Sequence, residues 1–191
     1  VHVVRIDYSF AVSRFEVTQA QWRAVIGNSP SHFEGGAHPV EQVSWDDVKQ
    51  YIEQLNKQGE GGFGLPTEAQ WEYACRSGGK NEEWSGCHGK SQLKNYAWYK
   101  DNSGSKTHPV GQKKPNGLGL YDMSGNVWEW TQDWYKGSAY SSHARNNHIY
   151  DAGGQRRVLR GGSWAGSAGY TRCARRLDLF PGIRPVDTGL R

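Results

Sequence analysis

Apolar and polar positions divide the chain into two unlike stretches. In the first, apolar residues recur at helical spacing behind clear start signals. Thr18 can cap a helix over Gln19–Ile26, which Gly27-Asn28 would stop. Ser44 with Asp47 has the form of a capping box, and Trp45, Val48, Tyr51, Ile52 and Leu55 follow every three to four positions, so Trp45–Leu55 is expected to be helical. After the break at Gly59–Gly64, Leu65-Pro66-Thr67 with Gln70 opens a third helix through about Arg76. Ahead of all three, Val1–Val17 reads as two short strands with a turn near Asp7–Ser9.

From Ser77 to Arg157 neither period persists, and Gly, Asn, Ser, Lys and Trp are scattered. Only Gly119–Tyr121, Val127–Thr131 and Val158–Arg160 look like strand fragments. Long irregular stretches inside a compact domain are uncommon and usually functional. The pattern predicts one loop-rich α+β domain over residues 1–191, with a small twisted antiparallel sheet and two to three helices.

Composition narrows this further. A chain of 191 residues is long enough to bury a core, and 25 Gly, 9 Trp and 10 Tyr against one Met exclude a coiled coil or solenoid. No apolar run approaches 18 residues, and VHVVRIDYSF is neither a signal peptide nor an anchor, so no membrane insertion is expected of this domain. The start without Met suggests a fragment. Cys75, Cys87 and Cys173 form no CxxC, and an odd count is a poor disulfide framework, so three free structural thiols are expected. Net charge is +4, with +3 of it in residues 165–191; that is far from the footprint of a nucleic-acid binder.

Five strings, "VSRFEVTQAQW" (12–22), "HPVEQVSWDDV" (38–48), "LPTEAQWEYACRSG" (65–78), "THPVGQKKPNGLGLYDMSGNVWEWTQDWY" (107–135) and "VLRGGSW" (158–164), resemble in sequence and order the formylglycine-generating enzyme, or sulfatase-modifying factor, family. The resemblance spans about Val3 to Arg191, lacking only an opening Gly-rich strand, and implies a C-type-lectin-like fold. It also implies a structural Ca²⁺ held by the side chains of Asp122 and Glu129 and the carbonyls of Gly125 and Val127; hard oxygen ligands suit that ion. The other reading is that Glu129 accepts loop N–H bonds. A second family calcium site, near Trp98–Asn102, lacks a matching acidic pattern.

The family's enzymes oxidise a substrate cysteine at Cu(I) held by two cysteines after the RGGS motif, and thiolates are the ligands Cu(I) prefers. Here Trp164–Thr171 contains no cysteine, so no copper is expected and the chain is read as non-catalytic. The seven His include no HxH or HxxxH pair, Ser163 lacks a GxSxG context, and no lectin-type sugar motif occurs.

Residues 165–191 contain no Lys, Asn, Gln, Glu, Met, Trp or His, although these types make up 57 of the first 164 residues. Such an alphabet, in such a domain, resembles the variable proteins of diversity-generating retroelements, whose AAC or AAT codons are randomised at adenine. The implied constant skeleton is Arg160–Trp164, Arg172, Ala174, Arg176, Pro181, Arg184, Gly189, Leu190 and Arg191. The implied ligand-binding positions are Gly166, Ser167, Gly169, Tyr170, Arg175, Leu177, Asp178, Leu179, Phe180, Ile183, Pro185, Val186 and Asp187. Leu177–Val186 reads either as a binding surface or as the closing strand and loop of the core. The expected function is recognition of a protein or cell-surface ligand, at the cell surface or outside the cell; the alternative is a formylglycine-generating oxidase or accessory factor acting on cysteine-containing peptides.

Overall fold

Three helices begin where their capping boxes place them. The computed structural model describes residues 3–59, 61–139 and 146–191. In α1 (Gln19–Ile26), α2 (Trp45–Gln58) and α3 (Glu68–Cys75), the cap side chain of Thr18, Ser44 or Thr67 accepts from the backbone three residues on, and Gln21, Asp47 or Gln70 returns the bond. Each box satisfies two donors that a helix start leaves orphaned. Helix α2 runs three residues past the apolar pattern, with an exposed Lys57–Glu53 pair on that last turn. A single turn, α4 (Lys90–Leu93), is too short to show a period.

The sheet comprises β1 (Trp128–Trp134), β2 (Arg157–Arg160), β3 (Leu177–Leu179) and β4 (Thr188–Gly189), in the order β3-β2-β1-β4. β2 is antiparallel to both β1 and β3, whereas β4 runs parallel to β1, so the sheet is mixed rather than wholly antiparallel. The parallel pair arises because the chain reaches β4 by a long crossover and not by a hairpin.

Two expected strand regions are absent. Residues 3–17 form only an isolated bridge, Arg5 with Asn146; Val1 and His2 of that expectation lie outside the described residues. Gly119–Tyr121 is loop, where the Asn116 side-chain oxygen accepts from the amides of Leu118 and Leu120. Side chains take over bonds that a ladder would otherwise make.

The main core packs Trp22, Val40, Val48, Tyr51, Ile52, Trp128, Trp130 and Leu159 between α1, α2 and the sheet. Trp22 stacks on Tyr51 at 4.8 Å, and Trp130 donates its indole N–H to the Val43 carbonyl at 3.0 Å. Tryptophan suits such a core because its ring fills space while its N–H satisfies a loop carbonyl. Among the described residues no helix is long and apolar enough to cross a membrane.

A second core cluster gathers Trp71, Ala74, Cys75, Leu120, Met123 and Cys173. Within it Cys75 and Cys173 are disulfide-bonded across 98 residues, which corrects the expectation of three free thiols; only Cys87 is free, and it is buried. Spacing could not show the pair, because packing of α3 against the segment after β2 brings the sulfurs together. Replacing both cysteines by Ala should lower unfolding stability by about 2–5 kcal/mol, through loss of a long closed loop. Chemical denaturation of the double variant checks this; an unchanged midpoint would contradict it.

Candidate ligand-binding face

The C-terminal segment leaves β2 through Gly161-Gly162, both at positive φ. A Cβ on Gly162 would lie 2.8 Å from the Thr171 Cα, so only glycine lets the following 3-10 turn, Ala168–Thr171, pack back against it. The chain then forms edge strand β3 and crosses the start of α2, where Trp45 and Gln42 donate their amides to the carbonyls of Pro181 and Pro185.

Arginines hold this path in place. Arg160, fully buried, pairs with Glu72 and donates to the Arg175 carbonyl at 2.8 Å. Arg176 grips Glu68 through two bonds of 2.6 and 2.8 Å. Arg184 grips Asp47 in the same bidentate way at 2.6 and 2.7 Å, and Arg172 meets Glu83 at 2.8 Å. Arg191 binds Glu129 through Nε and Nη2 at 2.9–3.1 Å. All five belong to the expected constant skeleton, and every carboxylate they meet lies on scaffold residues 47–129. Arg175, assigned to the ligand-binding set, has no such partner among the described residues; its guanidinium lies over the Tyr170 ring, 4.7 Å from the centroid. Burial tends to raise the Asp47 carboxyl, but the Arg184 and Ser44 bonds outweigh it and bring the pKa down to about 2.

None of the thirteen expected ligand-binding residues is buried. Ser167, Gly169, Tyr170, Arg175, Phe180, Ile183 and Val186 are exposed, and Gly166, Leu177, Asp178, Leu179, Pro185 and Asp187 are half-buried. The two readings of Leu177–Val186 divide residue by residue: Leu177 and Leu179 pack on the main core, while Phe180, Ile183 and Val186 stand out at 47, 48 and 38% exposure. Tyr170 and Asp187 meet around Trp128, whose ring lies 6.5 Å from Tyr170 and whose amide donates to the Asp187 carbonyl. Trp164, next to Val186, packs edge-on against Phe33 at 5.3 Å, an aromatic border the sequence did not suggest.

Asp122, Gly125, Val127 and Glu129 are all buried, and Asp122 lies near enough to Glu129 for their charges to interact. Both Glu129 oxygens are taken, by Arg191 and by the Trp71 indole N–H at 2.6 Å. At Val127 it is the N–H that meets a carboxylate, Glu16, at 3.2 Å. A guanidinium already supplies the positive charge, and no three metal-capable side chains gather among the described residues. Glu129, so engaged, offers the expected calcium ion no free oxygen. Asp122 accepts from Gly111 at 2.7 Å, while its Oδ1 is buried without a partner among the described residues. Burial raises its carboxyl to about 6; burial, with Asp122 and Glu129 nearby, raises Glu16 well above the ordinary range. Copper fares no better: Cys173 is bonded to Cys75, and residues 164–172 carry no thiol.

A mixed four-stranded sheet flanked by capped helices, its loops tied by buried ion pairs, is a C-type-lectin-like domain of the formylglycine-generating type. The chain belongs to the sulfatase-modifying factor enzyme 1-like domain family, whose model matches residues 1–191. Its fold is similar to that of Treponema denticola variable protein 1, with a TM-score of 0.88 and 37% identity over 99% of this chain and 85% of that one. It is 35% identical to the formylglycine-generating enzyme of Mus musculus over 92% of this chain, and spans about half of that enzyme (49%). It is also 33% identical to the chaperone protein LppX of Paenibacillus barcinonensis, over 83% of this chain and 70% of that protein.

Two outcomes follow for the buried charges. Arg191→Met leaves Glu129 unpaired inside and should cost about 3–5 kcal/mol in denaturant unfolding. Asp122, with its folded pKa raised to about 6 from an ordinary 3.8, holds its proton more tightly when folded. Its contribution is therefore complete below about pH 4 and lost as pH rises through 6, a change of about 3 kcal/mol. Denaturation from pH 4 to 8 in EDTA should show Asp122→Asn flattening that decline, leaving the parts due to Glu16, Glu41 and Asp133, whose carboxyls burial also raises.

Proposed function

We propose that the chain is a non-catalytic, receptor-type ligand-binding domain whose segment 165–191 is diversified by a retroelement to recognise varied protein or cell-surface ligands. One observation carries this reading: the segment's constant arginines are tied to scaffold carboxylates, while none of the thirteen positions expected to vary is buried. A face can change its chemistry freely only if its backbone is held by something else. The likeness to a variable protein at 37% identity supports the reading. The formylglycine-generating alternative has family membership in its favour, yet it needs two thiolates that the segment does not offer. The Cys75–Cys173 disulfide favours an oxidising compartment, in keeping with a place at the cell surface or outside the cell.

Sequencing sibling copies of the gene and its neighbourhood tests the proposal. Variation confined to the thirteen positions, beside a reverse transcriptase and a near-copy template, is expected; variation spread evenly over 160–191 overturns it. At the protein level, Ala at Tyr170, Phe180, Ile183 or Val186 should change stability by no more than about 0.5 kcal/mol. Ala at Arg160 or Arg176 should cost about 3–5 kcal/mol. A copper(I) titration should show no thiolate-bound metal.

A further inference from the structure

The face has a charge balance that its sequence conceals. Of its charged residues, Arg184 is neutralised by both oxygens of Asp47, and Asp178 by Arg156 at 2.9 Å. Asp187 accepts from the Ser163 hydroxyl at 2.7 Å, and Arg175 sits on Tyr170. Among the described residues, that leaves Arg175 and Asp187 of this segment without an opposite charge beside them. The +3 of residues 165–191 is therefore matched by scaffold carboxylates, with Arg176 and Arg191 paired in the interior on Glu68 and Glu129 and Arg172 and Arg184 paired at the surface on Glu83 and Asp47.

What faces outward is apolar and held in shape. Phe180 and Ile183 belong to one tight turn, closed by the Ile183 amide on the Phe180 carbonyl. Pro181 and Pro185 restrict the backbone, and their carbonyls are bound by Trp45 and Gln42. The Arg156 guanidinium covers the Phe180 ring at 4.6 Å from the centroid. Val186, also exposed, accepts at its carbonyl from the Trp164 indole at 3.5 Å, and Trp164 packs on Phe33. Apolar side chains on a backbone already ordered lose little freedom on binding, and aromatic anchors in a polar rim are the usual source of interface energy.

Building on the reading of residues 165–187 as a binding face, we infer that the partner of this particular sequence is a protein surface with an uncharged apolar centre, gripped by Phe180, Ile183 and Val186 with Tyr170. A polyanion or acidic glycan would need unpaired cations, and among the arginines of residues 165–191 Arg175 alone has no carboxylate partner among the described residues.

The test uses the full chain, immobilised, to pan a displayed library of disulfide-looped peptides. The triple variant Phe180→Ala/Ile183→Ala/Val186→Ala serves as counter-screen, and its melting curve confirms folding. Expected binders are enriched in Leu, Ile, Phe and Trp without enrichment in Asp or Glu. Their affinity should fall at least about 30-fold on the triple variant. It should change less than about threefold between 50 and 500 mM NaCl. Should the triple variant melt early, Ile183→Ala alone, with at least about a threefold loss expected, takes its place. Acidic binders that weaken steeply with salt and are lost on Arg175→Ala overturn the inference and leave the binding face standing. Failure to recover any binder sensitive to the face variants overturns both.

Discussion

The guanidinium of Arg191 is the constraint on which the interior depends. Fully buried, it must have partners for its donors, and it finds them in Glu129, the Ser13 carbonyl and the Tyr121 carbonyl. Glu129 in turn accepts from Trp71, so one ion pair joins β1, α3 and two loops. Glu16 accepts from Asn126 and Val127 beside it. A buried charge is tolerable only when every lone pair and proton is matched. A domain with little regular structure gains from this a fixed geometry that its short strands alone could not impose.

The same device recurs outward. Arg160, Arg172, Arg176 and Arg184 each fasten one stretch of irregular backbone to a carboxylate on the helices or loops of the scaffold. The fork of a guanidinium fixes direction as well as distance. Between these points Ala168, Thr171 and Cys173 are buried, whereas the thirteen expected ligand-binding residues are exposed or, like Leu177 and Leu179, only half-buried against the core. The exposed pairs at Arg172 and Arg184 add little stability by themselves. Their effect is to set the path and to absorb charge, so the surface of residues 165–191 is far less basic than the segment's composition suggests.

The helices were legible because their determinants are local. A cap and its partner stand three residues apart, so Thr18–Gln21, Ser44–Asp47 and Thr67–Gln70 declare themselves in the chain. The N-terminal alternation misled, since residues 3–17 find loop and side-chain partners in place of a neighbouring strand. Glu129 looked like a metal ligand because sequence shows a carboxylate near glycines and cannot show a guanidinium 62 residues away. The Cys75–Cys173 pair was hidden for the same reason.

Fold family, the three helix starts and the restricted alphabet of residues 165–191 could all be read along the chain, because caps, motifs and composition are properties of neighbouring residues. Folding in three dimensions settles which arginines meet carboxylates, which cysteines are joined, and that a guanidinium stands beside Glu129. Each of those depends on distance in space between residues far apart in the chain. The surplus charge of residues 165–191, visible from the start, takes its meaning only from the carboxylates it meets after folding.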